Sequence, residues 1–123
     1  MSLAAFKNYE ESFMILFRHA QEKKSHTFKA WLDSQNSEGF TALHFCSFHG
    51  NMRLVQVLIE EGSADMGLAN KNGCNVLHLA AQGNKGISVY YFTEKMKMDV
   101  NVRDNKGSTA LHWACFTKSE VAL

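Results

Sequence analysis

Histidine and cysteine are the side chains most ready to do chemistry, and twice in this sequence they stand close together. His44-Phe-Cys46 and His112-Trp-Ala-Cys115 each place an imidazole near a thiol. Such a pair could hold a soft metal ion, or the histidine could activate a thiolate nucleophile. The wider pattern argues against both. Structural zinc takes four ligands in paired clusters, and the sequence has no such cluster. A catalytic thiolate needs a setting that lowers its pKa and a partner that orients it. The histidines are instead committed to a recurring local pattern. We therefore expect no metal, no cofactor and no catalytic residue. Cys46 and Cys115 fall where another copy of the pattern has Ala80 and Ala81, so they read as small apolar side chains.

That pattern is Gly39-Phe-Thr-Ala-Leu-His-Phe-Cys-Ser47. It returns as Gly73-Cys-Asn-Val-Leu-His-Leu-Ala-Ala81 and as Gly107-Ser-Thr-Ala-Leu-His-Trp-Ala-Cys115. His44, His78 and His112 are spaced by 34 residues. A fixed period of this size marks a stack of similar units, each burying its apolar face against the next.

The elements that position these residues read as helices. Phe6, Tyr9, Phe13, Leu16, Phe17 and Ala20 step by three or four along one face. Ser25 caps a shorter helix with Phe28, Trp31 and Leu32. Residues 1–35 thus form a helix pair lacking the Leu-His motif, a degenerate unit closing one end of the stack. The first full unit, 36–69, has a helix opening at Thr41-Ala-Leu-His44, a turn at Gly50-Asn51, and a second helix with Leu54, Val55, Leu58 and Ile59 inward. The second, 70–103, repeats the plan with a turn at Gly83-Asn84 and Ile87, Val89, Tyr90 and Tyr91 in its second helix. Val100 and Val102 suit a short extended arm. The third, 104–123, turns at Thr117–Glu120 and only begins a second helix, so the array reads as a fragment cut within a unit.

Thr-Ala-Leu-His at 41–44 and 109–112 and Asn-Val-Leu-His at 75–78 resemble the Thr-Pro-Leu-His element of ankyrin repeats over about residues 36–123. The resemblance implies an all-α solenoid of helix–turn–helix units with short β-hairpin loops. It also implies that Thr41, His44, His78, Thr109 and His112 are structural turn residues, imidazole and hydroxyl bonding to backbone and bracing adjacent hairpins. Ala42, Val76 and Ala110 replace the usual proline. The period exceeds the usual one by a residue. Ser63 reads as an insertion, and the second repeat reads as one residue short before Gly83 and about two long around Lys95 to Met98. Tetratricopeptide repeats share the period, but their Trp-Leu-Gly-Tyr pattern is missing. Residues 99–123 also resemble the ankyrin part of DHHC-type protein S-palmitoyltransferases. That would make the chain a substrate-recruiting module whose catalytic part lies outside it.

In this fold the inner face is made by hairpin tips and exposed positions of the first helices. The expected partner-binding residues are Glu38, Phe40, Phe48 and His49 in the first unit, then Lys71, Asn72 and Gln82. Arg103, Asn105, Lys106 and Phe116 complete the set. Aromatics at solvent-facing positions argue for a contact surface that holds another protein or a peptide. Met66, Met96 and Met98 read as core gap-fillers.

Composition sets the class. The 123 residues carry 13 basic and 12 acidic side chains and 46% hydrophobic residues, as in an ordinary folded domain. A net charge of +1 has no global pull on nucleic acid. No apolar run reaches the ~20 residues of a membrane helix. Three cysteines make no disulfide framework and fit a reducing, cytoplasmic setting, or the cytosolic face of a membrane if the acyltransferase resemblance holds.

Overall fold

The structure, a computed structural model, describes the backbone of residues 3–22 and 27–122 and the side chains of 10–22 and 28–116. Among the described residues there are seven helices and no strand. They are α1 (Leu3–Glu22), α2 (Thr27–Leu32), α3 (Ala42–His49), α4 (Met52–Gln56), α5 (Val76–Gln82), α6 (Gly86–Tyr90) and α7 (Ala110–Ala122). The first helices of the units, α3, α5 and α7, lie side by side as one layer. The second helices, α4 and α6, fold back behind α3 and α5.

Each unit buries the apolar stripe its period dictates. Leu43, Val55, Leu58 and Ile59 of the first and Val76, Leu77, Ala80, Tyr91 and Phe92 of the second form one continuous core. Phe17 and Leu32 of the N-terminal pair enter the same core. Gly62 marks the contact: a Cβ there would lie 2.8 Å from Leu32 and 3.2 Å from Phe17. On α1, Phe13 and Phe17 face inward, whereas Leu16 is exposed, contrary to the sequence expectation. A terminal helix is covered on one side only, so its buried stripe is narrow. Phe6, Tyr9 and Ser25 lie outside the described side chains. Met66, Met96 and Met98 pack partly buried against the core.

The extra residue of the long period sits at the end of each second helix. Both helices finish in a π turn, Val57–Glu61 and Tyr91–Lys95. The next residues but one, Ser63 and Lys97, take φ +58° and +56°. Ala64 N–H then donates to Leu58 C=O and Met98 N–H to Phe92 C=O, wide six-residue closures of the helix end. A π turn is how a helix absorbs one added residue.

The structure corrects three readings of the turns. The second repeat is not shortened before Gly83. The left-handed position after the first helix is Gly50 (φ +73°) in one unit and Asn84 (φ +54°) in the next, and these stand in the same register. Asparagine tolerates that conformation. Gly83 serves another need, because a Cβ there would drive into the Phe48 carbonyl. The expected turn at Thr117–Glu120 is also absent: α7 runs unbroken from Ala110 to Ala122. Lys118 occupies the register of Gly50 and Asn84 and has neither residue's tolerance for positive φ. Finally, residues 100–101 form a turn rather than the extended arm expected of Val100 and Val102.

Candidate partner-binding site

Three fingers project from the layer of first helices, and each is built the same way. Asn36, Asn70 and Asp104 open them. The Oδ1 of each accepts N–H donors two and four residues on, at 2.9–3.0 Å: Glu38 and Phe40, Asn72 and Cys74, Lys106 and Ser108. The backbone closes the same loop, with Asn36, Asn70 and Asp104 N–H donating to the carbonyls of Phe40, Cys74 and Ser108. Gly39, Gly73 and Gly107 turn it at φ +79° to +85°. Each finger holds the next: Lys71 N–H donates to Glu38 C=O and Asn105 N–H to Asn72 C=O. The sequence reading passed over Asn36, Asn70 and Asp104 as turn formers. The signal was their place in the 34-residue register.

The Leu-His turn fastens fingers to helices. His44 Nδ1 accepts from Thr41 N–H at 3.0 Å and meets the Thr41 hydroxyl at 2.7 Å. Thr41 in turn accepts from His44 N–H, which completes a reciprocal cap on α3. With Nδ1 accepting, the ring proton lies on Nε2 and points at Cys74 C=O in the next finger, 3.1 Å away. His78 repeats this, with Asn75 N–H on Nδ1 and the carbonyls of Val102 and Ser108 at 3.0 and 3.3 Å from Nε2. In the third unit Thr109 N–H and hydroxyl meet His112 Nδ1 at 3.0 and 2.9 Å.

These contacts use up the groups that looked chemically ready. Both ring nitrogens of His44 and of His78 are bonded. Burial holds His44 below the usual imidazole range, although the backbone bonds pull the other way. Burial pushes the Cys46 thiol up to about 12. Burial, with the Asp104 carboxylate, pushes Cys74 up to about 11. Neither is a thiolate near neutral pH. Cys115 is exposed, not packed in a helix contact as its register had implied.

What remains on the finger side is aromatic. Phe40, at a finger base, has its ring 5.3 Å from Phe45 and 5.9 Å from His44. Phe45 and Phe48 are 46% and 37% exposed and share a face of α3. At the same register on α7, Trp113 Nε1–H donates to Asp104 Oδ2 at 2.9 Å, and its ring meets the 56% exposed Phe116 edge-on at 5.9 Å. Between them α5 offers buried Leu79 and half-buried Gln82, whose Nε2 approaches Cys74 Sγ at 3.6 Å. Sequence reasoning missed Phe45 and Trp113, the residues just after each Leu-His. Glu38, Lys71, Asn72, Asn105 and Lys106 are exposed at the finger tips, and His49 is exposed at the end of α3. Asn105 also donates to Lys71 C=O, and Arg103 donates to Gly107 C=O within its finger.

A family model for ankyrin repeats, in three copies, matches residues 1–89 and again 46–123. The chain belongs to the ankyrin-repeat family. Ankyrin repeats are in general protein–protein interaction modules. Among similar proteins is a Notch-regulated ankyrin repeat-containing protein of Xenopus laevis, 32% identical over 110 residues, 84% of this chain and 96% of that one. The Homo sapiens protein of the same name is 42% identical over 66 residues, 54% of this chain. The chain spans 57% of that human relative's length. Palmitoyltransferase AKR1 of Lachancea kluyveri is 34% identical over 86 residues, 68% of this chain but 12% of the yeast protein. Among the described residues no helix is long and apolar enough to cross a membrane.

Proposed function

We propose that this chain is a binding module that holds a partner protein or peptide on the finger side of α3, α5 and α7. One observation carries the reading: Phe45, Phe48 and Phe116 stay exposed on the finger side of α3 and α7. Large exposed aromatics in one region favour a contact surface, since rigid rings contribute much of the free energy at interfaces. The histidine braces hold that surface rigid, which lowers the ordering cost of binding. The chain acts by binding, without catalysis of its own.

The test is capture of partners from cell extract by the wild-type chain and by the Phe45→Ala, Phe48→Ala, Phe116→Ala triple variant. Proteins retained by the first and lost by the second, with an unchanged melting temperature, are the expected result. Identical capture by both would remove the claim about this face.

The similarity to palmitoyltransferase AKR1 over 86 residues supports a second reading. In it the module recruits substrates to a membrane-bound acyltransferase on the cytosolic side. Reading the gene beyond the codon for Leu123 decides it. Apolar blocks and an Asp-His-His-Cys segment favour the acyltransferase; a stop codon or an unrelated domain removes it.

A further inference from the structure

We propose that the segment held on this face is an extended acidic peptide with two large apolar side chains five or six residues apart. The inference rests on the binding face argued above and adds the chemistry of its occupant.

Charge comes first. The exposed charged side chains at the three finger tips are Glu38, Lys71 and Lys106, two cations against one anion, with Arg103 exposed just before the last finger. Among the described residues neither Lys71 nor Lys106 makes an ion pair. Asp104 does not offset them. It is buried, its Oδ1 accepting from Lys106 and Ser108 N–H and its Oδ2 from Trp113. The finger row therefore presents a positive edge although the whole chain is nearly neutral, and a positive edge selects carboxylates.

Spacing comes second. The aromatic groups are two, not one continuous stripe: Phe40, Phe45 and Phe48 on the first unit, Trp113 and Phe116 on the third. The second unit interrupts them with Leu79 and Gln82 at the matching positions. Packed helices stand about 8–10 Å apart, so α3 and α7 are separated by about 16–20 Å across α5. An extended chain advances about 3.3 Å per residue, and about five or six residues cover that gap. Carboxylates in the stretch between the two anchors then pass Lys71 on the middle finger and Lys106 on the last. An α-helical ligand would need about twelve residues for the same reach.

Selection from a displayed library of random peptides tests this with the full chain as bait. The expected enrichment is Asp and Glu between two large apolar residues five or six positions apart. A synthesised winner should bind at least tenfold more weakly to Lys71→Glu, Lys106→Glu, and more weakly as salt rises. The Phe48→Ala, Phe116→Ala variant should lose it too. Winners that depend on Phe48 and Phe116 but lack acidic residues or the spacing would overturn the peptide chemistry and leave the face standing. Winners indifferent to both variants, or no winners at all, would overturn the peptide and the face together. Circular dichroism of each variant checks that these surface changes leave the helices intact.

Discussion

The side chain at the start of α5 shows how finely the Leu-His turn is tuned. Thr41 and Thr109 bring a hydroxyl proton to the Nδ1 of His44 and His78's other counterpart, His112. Asn75 brings none. Its Oδ1 already accepts from Leu77 and His78 N–H and lies 2.9 Å from His78 Nδ1, where two acceptors face each other. Asn75→Thr should therefore stabilise the fold by about 0.5–1 kcal/mol, seen as a raised midpoint in chemical denaturation. A lowered midpoint would mean that the tighter asparagine cap outweighs the missing proton. His44 supplies the pH dependence. Its folded-state pKa is depressed below the ordinary 6.5 by burial, with bonds to backbone only partly opposing. The unfolded chain then binds more protons in that window. The contribution is full above pH 6.5 and is lost as pH falls through the folded-state value. Proton NMR of the His44 ring should give a midpoint below 6.5, with thermal stability declining over the same range; a midpoint at or above 6.5 refutes it.

At the scale of the helix, the added residue of each repeat leaves a cost at one place. Ser63 and Lys97 hold positive φ with a Cβ in the way, and such residues pay roughly 1–2 kcal/mol that glycine avoids. Gly62 stands one position too early to take that role in the first unit; it is needed where it is, against Leu32 and Phe17. Ser63→Gly and Lys97→Gly should each raise stability by about 1 kcal/mol, less the greater freedom of glycine in the unfolded chain. Urea unfolding of the two variants checks this, and no gain in either would show that the helix ends relax without strain. The same helices explain why Ile87 and Tyr90 surface while Tyr91 and Phe92 do not. Their stripe follows the helical period, not the run of apolar letters.

Across the whole molecule the register makes identical residues unequal. Leu43 and Leu77 are each 2% exposed, while Leu111 at the same position of α7 is 72% exposed. The cover decides the difference: α3 and α5 each have a second helix packed behind them and a first helix beside them, whereas α7 packs mainly against α5. Leu77→Ala should cost about 2–5 kcal/mol, and Leu111→Ala less than about 0.5 kcal/mol. Equal losses, measured by thermal denaturation, would mean that α7 is covered in solution. The helical stack, the Leu-His capping turns and the inward stripes of α4 and α5 were legible in the letters, since hydrogen bonding and burial within one repeat depend on residues close in sequence. Asn36, Asn70 and Asp104 lay in the same register and could have been read there. Other features depended on approach between units. Gly83 is glycine because of Phe48 in the repeat before it, and Leu16 surfaces because α1 lies at the end of the stack and is covered on one side. A repeating sequence specifies each unit; which side chains remain exposed is settled only when the units stack, because exposure belongs to the pair of neighbours and not to the residue.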